Sequence, residues 1–204
     1  IISNYCGLTS KYFDYIIADK TLIPESHQQF YSEKVVYLPD TYMVDDSKRI
    51  ASAKKFTREN FGLPDGAFVF CCFNNAYKFN PQILDRWARI LLEVKNSVIW
   101  ISENSEDFRT NLAIEFMSRG VDSSRVIFAP KVGLMGDHLS RFGLADLFLD
   151  TGPYNAHTTA LDSLKAGVPI LTLMGNSFAS RVAASLLKAI ELPELIANTQ
   201  EEYE

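Results

Sequence analysis

Five short runs in this chain are apolar without alternation: residues 67–73 (AFVFCCF), 97–101 (SVIWI), 125–130 (RVIFAP), 145–150 (ADLFLD) and 170–173 (ILTL). A strand with one wet face alternates polar and apolar side chains, so strands apolar throughout are covered on both faces, as in parallel sheets. Between the runs the period changes to that of a helix. Residues 81–94 carry Ile83, Leu84, Trp87, Ile90, Leu91 and Val94 at helical spacing, with Pro81 in the first turn. Residues 105–119 form a second helical stretch, stopped by Gly120, and residues 136–142, 158–166 and 178–190 form three more. Strand–helix alternation at about 20–30 residues per unit predicts stacked βαβ units. The expected fold is therefore α/β: an open, doubly wound parallel sheet over residues 67–204. Ahead of it, residues 14–19 and 35–38 read as short strands and residues 47–61 as a helix. Residues 195–197 read as a last short strand or a turn. The chain begins at Ile1 without a methionine and stops in a polar run, so it is expected to be a fragment.

Ligands of doubly wound sheets bind outside the carboxyl ends of the strands. That rule picks out residues 74–78 (NNAYK), 102–104, 131–133, 151–159 and 175–177. The fourth segment belongs to the stretch 150–167, DTGPYNAHTTALDSLKAG, which reads as loop, helix and a terminating Gly167. A helix start offers unpaired N–H groups and the positive end of the macrodipole, a ready site for phosphate. His157, Thr158 and Thr159 stand there; the alternative is that one threonine is only an N-cap. Lys78 lies just past a strand end, where it either neutralises a phosphate or is a solvated surface lysine. His138 and Arg141 are three apart and share a helix face, either a base-and-anion site or an exposed polar face. Asp162 is either a ribose ligand or a dipole-favoured acid in the first turns. Arg181 starts the apolar face of the last long helix and is expected only to snorkel. No strand is followed by GxGxxG or by GxxxxGK[ST], which argues against a nicotinamide dehydrogenase and a P-loop NTPase.

A net charge of −5 and a pI near 5.3 argue against a nucleic-acid partner. No apolar run approaches the ~18–20 residues of a membrane span, and no secretory leader pattern is present. Cys6, Cys71 and Cys72 are odd in number, and the latter two are adjacent in an apolar run, which reads as buried thiols in a reducing, cytoplasmic setting. His27, His138 and His157 lack metal-ligand spacing, so no metal site is expected.

Five segments together carry a resemblance to a known family: residues 155–162 (NAHTTALD), 166–172 (AGVPILT), 73–78 (FNNAYK), 144–151 (LADLFLDT) and 179–183 (ASRVA). They resemble the C-terminal catalytic half of the protein O-linked N-acetylglucosamine transferases, including bacterial TPR-bearing relatives, with the Spindly-type O-fucosyltransferases as cousins. The likeness runs from about Asp14 to Glu204. It implies a Rossmann-like C-terminal half of a GT-B glycosyltransferase: residues 14–204 as the nucleotide-sugar-binding domain, truncated at its C-terminus, and residues 1–13 as the tail of a preceding catalytic domain. By position, the resemblance implies that His157, Thr158 and Thr159 hold the diphosphate of a UDP-sugar. Lys78 then stabilises the leaving diphosphate, and Asn75 stands where animal enzymes have glutamine. His138 and Arg141 fall near the uridine, and Asp162 at the ribose. Around Met135 the animal enzymes have a nucleotide-contacting lysine, and this chain has none. The implied reaction is inverting, metal-independent transfer of N-acetylglucosamine from UDP-GlcNAc to Ser or Thr of a protein acceptor, with no separate cofactor, no nucleic acid and no membrane. The isolated chain is expected to bind nucleotide without transferring sugar. Two rivals remain: an O-fucosyltransferase using GDP-fucose, which the histidine of 155–157 (NAH) argues against, and a non-catalytic nucleotide- or partner-binding module.

Overall fold

The computed structural model describes residues 12–204; the expectation for the first thirteen residues, and Cys6, lie outside this range except for Tyr12 and Phe13. The main sheet has six parallel strands: β3 (Phe68–Cys72), β4 (Ser97–Ser102), β5 (Val126–Ala129), β6 (Leu147–Leu149), β7 (Ile170–Leu173) and β8 (Ile196–Ala197). Their spatial order is β5-β4-β3-β6-β7-β8. Counted from β3 this is 3-2-1-4-5-6, the doubly wound Rossmann order, and its switch point falls between β3 and β6. The helices are α1 (Pro81–Glu93), α2 (Glu106–Ser118), α3 (Met135–Phe142), α4 (Thr158–Lys165), α5 (Val182–Ala189) and the short α6 (Gln200–Tyr203). α1 packs on α2, while α3 packs on α4 and α4 on α5. Right-handed crossovers running outward from the switch point in both directions put these groups on opposite faces.

The double cover explains the composition of the strands. Val69, Cys71, Cys72, Ile99, Trp100, Ile101, Phe148 and Leu149 are all fully buried, and Trp87, Phe116 and Phe142 close over them. Cys71 and Cys72 are free thiols, and burial pushes both well above the usual thiol range. Local signals fix the helix ends. The Asn80 side chain accepts the Ile83 N–H at 3.0 Å ahead of Pro81, and Ser105 caps α2 by accepting the Phe108 N–H.

A second, two-stranded parallel sheet of β1 (Tyr15–Ala18) and β2 (Lys34–Tyr37) packs Ile16, Ala18, Leu22, Ile23 and Tyr42 against Phe178 and Val182. Buried Asp19 fastens it: its carboxylate accepts the N–H groups of Thr21, Leu22 and Tyr42 and the Ser185 hydroxyl.

Two expected helices differ. Residues 47–61 form only a 3₁₀ turn, Glu59–Phe61. Their apolar residues do not build one helical face, and Ile50 is exposed. The segment is pinned from outside instead: Ser52 N–H donates to Gly136 O, and Arg58 reaches the carbonyls of Ala67 and Leu144 and the Asp146 carboxylate. Residues 178–190 split into a 3₁₀ turn, Phe178–Ser180, and α5. Arg181 sits at the break with φ −125° and donates to Thr21 O and Gly175 O, so it ties loops together and does not merely snorkel.

Candidate nucleotide-binding site

The switch point is bounded by the segment after β3 (residues 73–80) and the loop after β6 (residues 150–157). Hydrogen bonds knit the two. Asn74 Nδ2 donates to Thr151 Oγ1 at 2.9 Å, and Asn80 Nδ2 donates to Gly152 O at 2.8 Å. Within the second loop Thr151 Oγ1 donates to Tyr154 O, and Asn155 Nδ2 to Thr151 O. Asp150, at the end of the β6 run, anchors the loop: its Oδ1 accepts the N–H groups of Thr151 and Ala156, and its Oδ2 accepts the Thr172 hydroxyl at 2.7 Å. Burial pushes this carboxyl up to about 7, against the pull of its three donors and of nearby Lys78.

Lys78 is not a solvated lysine. It is 9% exposed, its Nζ donates to Asn155 O at 2.7 Å, and the ammonium lies 4.3 Å from the centre of the Tyr154 ring. Desolvation lowers its pKa, with Asp150 opposing. Among the described residues no carboxylate touches it, so it is a cation held by a carbonyl and a ring. Beyond Tyr154, His157 stacks on that ring at 5.0 Å and 17°. Burial, then Lys78, drives the imidazole down to about 4, so it is neutral at physiological pH, and its Nε2 is buried without a partner.

His157 is the N-cap of α4, and its side chain caps nothing. The reading of Thr158 or Thr159 as a mere cap is therefore wrong: both lie inside the helix, Thr158 exposed and Thr159 half-buried, and neither hydroxyl is engaged among the described residues. The first N–H groups of α4 stay open to a ligand. Asn75 stands exposed at the opposite lip. These contacts join Lys78 to His157 through Tyr154, and Thr158 and Thr159 follow at the α4 start: a desolvated cation, a helix start and free hydroxyls are the donor types suited to a diphosphate.

His138, Arg141 and Asp162 form an adjoining corner along α3 and α4. His138 is half-buried, packs on Phe73 and Phe142, and is driven down to about 4 by burial, then by Arg141 and Arg49. Arg141 is 3% exposed. It donates to Pro130 O, contacts His138 Nδ1 at 2.9 Å and lies 4.6 Å from the Phe73 ring centre; burial lowers it to about 10. The pair is thus neither an exposed polar face nor a free anion hook: Arg141 positions His138 and the end of β3. Asp162 is buried, which raises its pKa, and Arg49 answers with a 2.5 Å ion pair. The Arg49 guanidinium also lies 3.1 Å from Met135 Sδ. Sequence reading missed Arg49, because it comes from the irregular segment 113 positions away and no local pattern marks it. It brings a cation to the corner where Met135 supplies none.

A parallel sheet in Rossmann order, with a buried lysine and an uncapped helix start at its switch point, has the architecture of the nucleotide-binding α/β class. Known proteins narrow the class. Residues 52–204 match the description of glycosyl transferase family 41, and the chain belongs to that family. It is 39% identical over 203 residues to the "Probable UDP-N-acetylglucosamine--peptide N-acetylglucosaminyltransferase SEC" of Arabidopsis thaliana, covering 95% of this chain and 20% of that protein. It is 42% identical over 147 residues to the UDP-N-acetylglucosamine–peptide N-acetylglucosaminyltransferase of Caenorhabditis elegans, covering 72% of this chain and 13% of that one. The chain thus spans about a fifth or less of the length of these relatives. Among solved structures, a mutant of the Thermobaculum terrenum O-GlcNAc transferase matches with a TM-score of 0.80 and 31% identity, covering 93% of this chain and 36% of the other. The fold is a Rossmann-like half of a GT-B glycosyltransferase. Among the described residues no helix is long and apolar enough to cross a membrane.

Proposed function

We propose that this chain is the donor-binding half of an inverting transferase that moves N-acetylglucosamine from UDP-GlcNAc to Ser or Thr of proteins. The observation that carries the reading is Lys78: a buried ammonium without a carboxylate partner, set beside the open N-terminus of α4. A ground-state protein gains little from such an arrangement, whereas a departing nucleoside diphosphate completes it. When the acceptor oxygen attacks the anomeric carbon, the bond to the β-phosphate oxygen breaks and negative charge collects on the diphosphate. Lys78, the α4 N–H groups and the Thr158 and Thr159 hydroxyls neutralise that charge, each such contact contributing on the order of 3 kcal/mol in the transition state. Charge neutralisation of this kind calls for no metal ion, and the reading includes none. His157, neutral and stacked on Tyr154, lines the diphosphate, and Asn75 closes the lip. Asp162 has one carboxylate oxygen taken by Arg49 and the other directed to ribose hydroxyls, while His138, held by Arg141, flanks the base. The sugar and the protein acceptor are assigned by analogy with the relatives, and this chain's residues are assigned only to the donor.

Calorimetric titration with UDP and with GDP tests the reading. Saturable UDP binding that EDTA leaves unchanged, with GDP at least tenfold weaker, is expected. Tighter binding of GDP would favour a GDP-fucose donor; binding of neither nucleotide would refute the donor-site reading.

A further inference from the structure

Against Gly152 and Pro153 lies a second cleft of about 500 Å³, lined by Gln82, Arg86, Gly175, Asn176, Asn198 and Gln200 among others. Its volume is in the range of small-ligand sites. Arg86 comes from α1 and is 7% exposed, yet among the described residues its guanidinium makes no hydrogen bond and no ion pair. Its Nε is buried without any partner, and its Nη1 lies against the Gly152 wall, 4.0 Å from where a Cβ would stand. Glu204 lies in charge range of Arg86, but Arg89 holds it in a two-pronged pair. A buried guanidinium left unpaired is unfavourable unless something answers it. The walls supply no carboxylate. They supply side-chain amides: those of Gln82, Asn176 and Gln200 form no hydrogen bond among the described residues, while that of Asn198 is taken by Glu202.

We propose that this cleft is a second ligand site, separate from the Lys78 crevice, that takes the phosphate or carboxylate group of a small polar ligand on Arg86. The planar guanidinium matches the two oxygens of either group. The free amides hydrogen-bond the hydroxyls or amides of the ligand's body. The inference does not rest on the donor reading: the two sites share only the Gly152–Pro153 wall, and neither Arg86 nor the amides belong to the Lys78 crevice.

An NMR titration of the protein without nucleotide tests it, using inorganic phosphate in one arm and acetate in the other, against chloride at matched ionic strength. Saturable shifts of the Arg86 Nε–H signal and of the Gly152, Gly175 and Asn176 amides are expected with at least one anion, and the anion that saturates identifies the head group. Arg86→Gln should weaken that binding tenfold or more, as loss of a charged hydrogen bond does. Gln82→Glu, at an exposed position on the cleft, should do the same through repulsion and keeps the test decisive if Arg86→Gln does not fold. Lys78→Ala should leave it unchanged. Linear, unsaturated shifts with both anions would overturn the proposal. So would binding that survives the folded variants at Arg86 and Gln82, or binding lost with Lys78→Ala.

Discussion

Replacing Lys78 with methionine should separate folding from ligand binding. The ammonium is almost buried, which costs several kcal/mol of hydration. Its recovered interactions are one charged hydrogen bond to Asn155 O, worth about 1.5–3 kcal/mol, and the Tyr154 cation–π contact, worth about 0.5–2 kcal/mol. Nearby Asp150 adds attraction, but that carboxyl is already raised to about 7 by burial and can take a proton when the cation leaves. The gains and the cost are of the same size. Methionine fills the same channel with no charge to desolvate, so Lys78→Met should change unfolding free energy by no more than about 1 kcal/mol, or a melting shift of about 2–4 °C for a domain of this size. Nucleotide binding should respond differently. The variant loses a charged contact to the diphosphate worth about 1.5–3 kcal/mol, so UDP affinity should fall by about 10- to 150-fold. The assay pairs calorimetric titration of UDP with thermal unfolding of the ligand-free protein. A UDP affinity within threefold of the parent would refute the phosphate role of Lys78. Unchanged affinity with a large loss of stability would show that the lysine is a structural element only.

Other perturbations follow from the same geometry. Thr158→Val and Thr159→Val remove hydroxyls that nothing in the described structure uses, so melting temperature should hold while UDP affinity falls several-fold for each; a fall in melting temperature without loss of affinity would return the threonines to a folding role. His157 is depressed in the folded state from its ordinary 6.5 to about 4, so its contribution to stability is present above pH 6.5 and is lost as pH falls through 4. Its pKa change predicts about 2 kcal/mol lost between pH 7 and pH 5 in the parent but not in His157→Gln, as read from denaturant unfolding at several pH values. The raised carboxyl of Asp150, common to both proteins, runs the opposite way, favouring stability at low pH and losing it as pH rises through about 7. Parallel pH profiles for the two proteins would therefore count against a buried, neutral His157. Gly175→Ala would set a Cβ 2.5 Å from Ser180 Oγ and 2.8 Å from Ser180 Cβ, inside a capping interaction, and should destabilise by about 1–3 kcal/mol in the same unfolding assay.

What the chain makes legible follows the range of the physics. The parallel sheet was readable because double burial acts on each strand separately and leaves an apolar run behind, as in residues 67–73 and 97–101. The helix starts near Pro81 and Ser105 were readable because the signals that open a helix act within one turn. Residues 47–61 were not, because what holds them is Arg58 at Asp146 and Ser52 at Gly136, contacts made across the fold. The site divides in the same way. His157, Thr158 and Thr159 announce themselves by standing at a helix start next to a glycine-bearing loop, and Lys78 by following a strand. The chemistry of Lys78 depends on what the sequence places far from it: the Asn155 carbonyl that accepts its hydrogen bond, and the Tyr154 ring between lysine and histidine. Arg49 and Arg86 are extreme cases. One pairs with an acid 113 residues distant, and the other lies under the apolar face of an ordinary amphipathic helix, where its spacing says only that it is buried. A buried arginine can be seen in sequence; that no hydrogen bond or ion pair among the described residues engages it can be seen only once its neighbours are in place, which is why the chain could nominate Lys78 and the α4 start but not the Arg86 cleft.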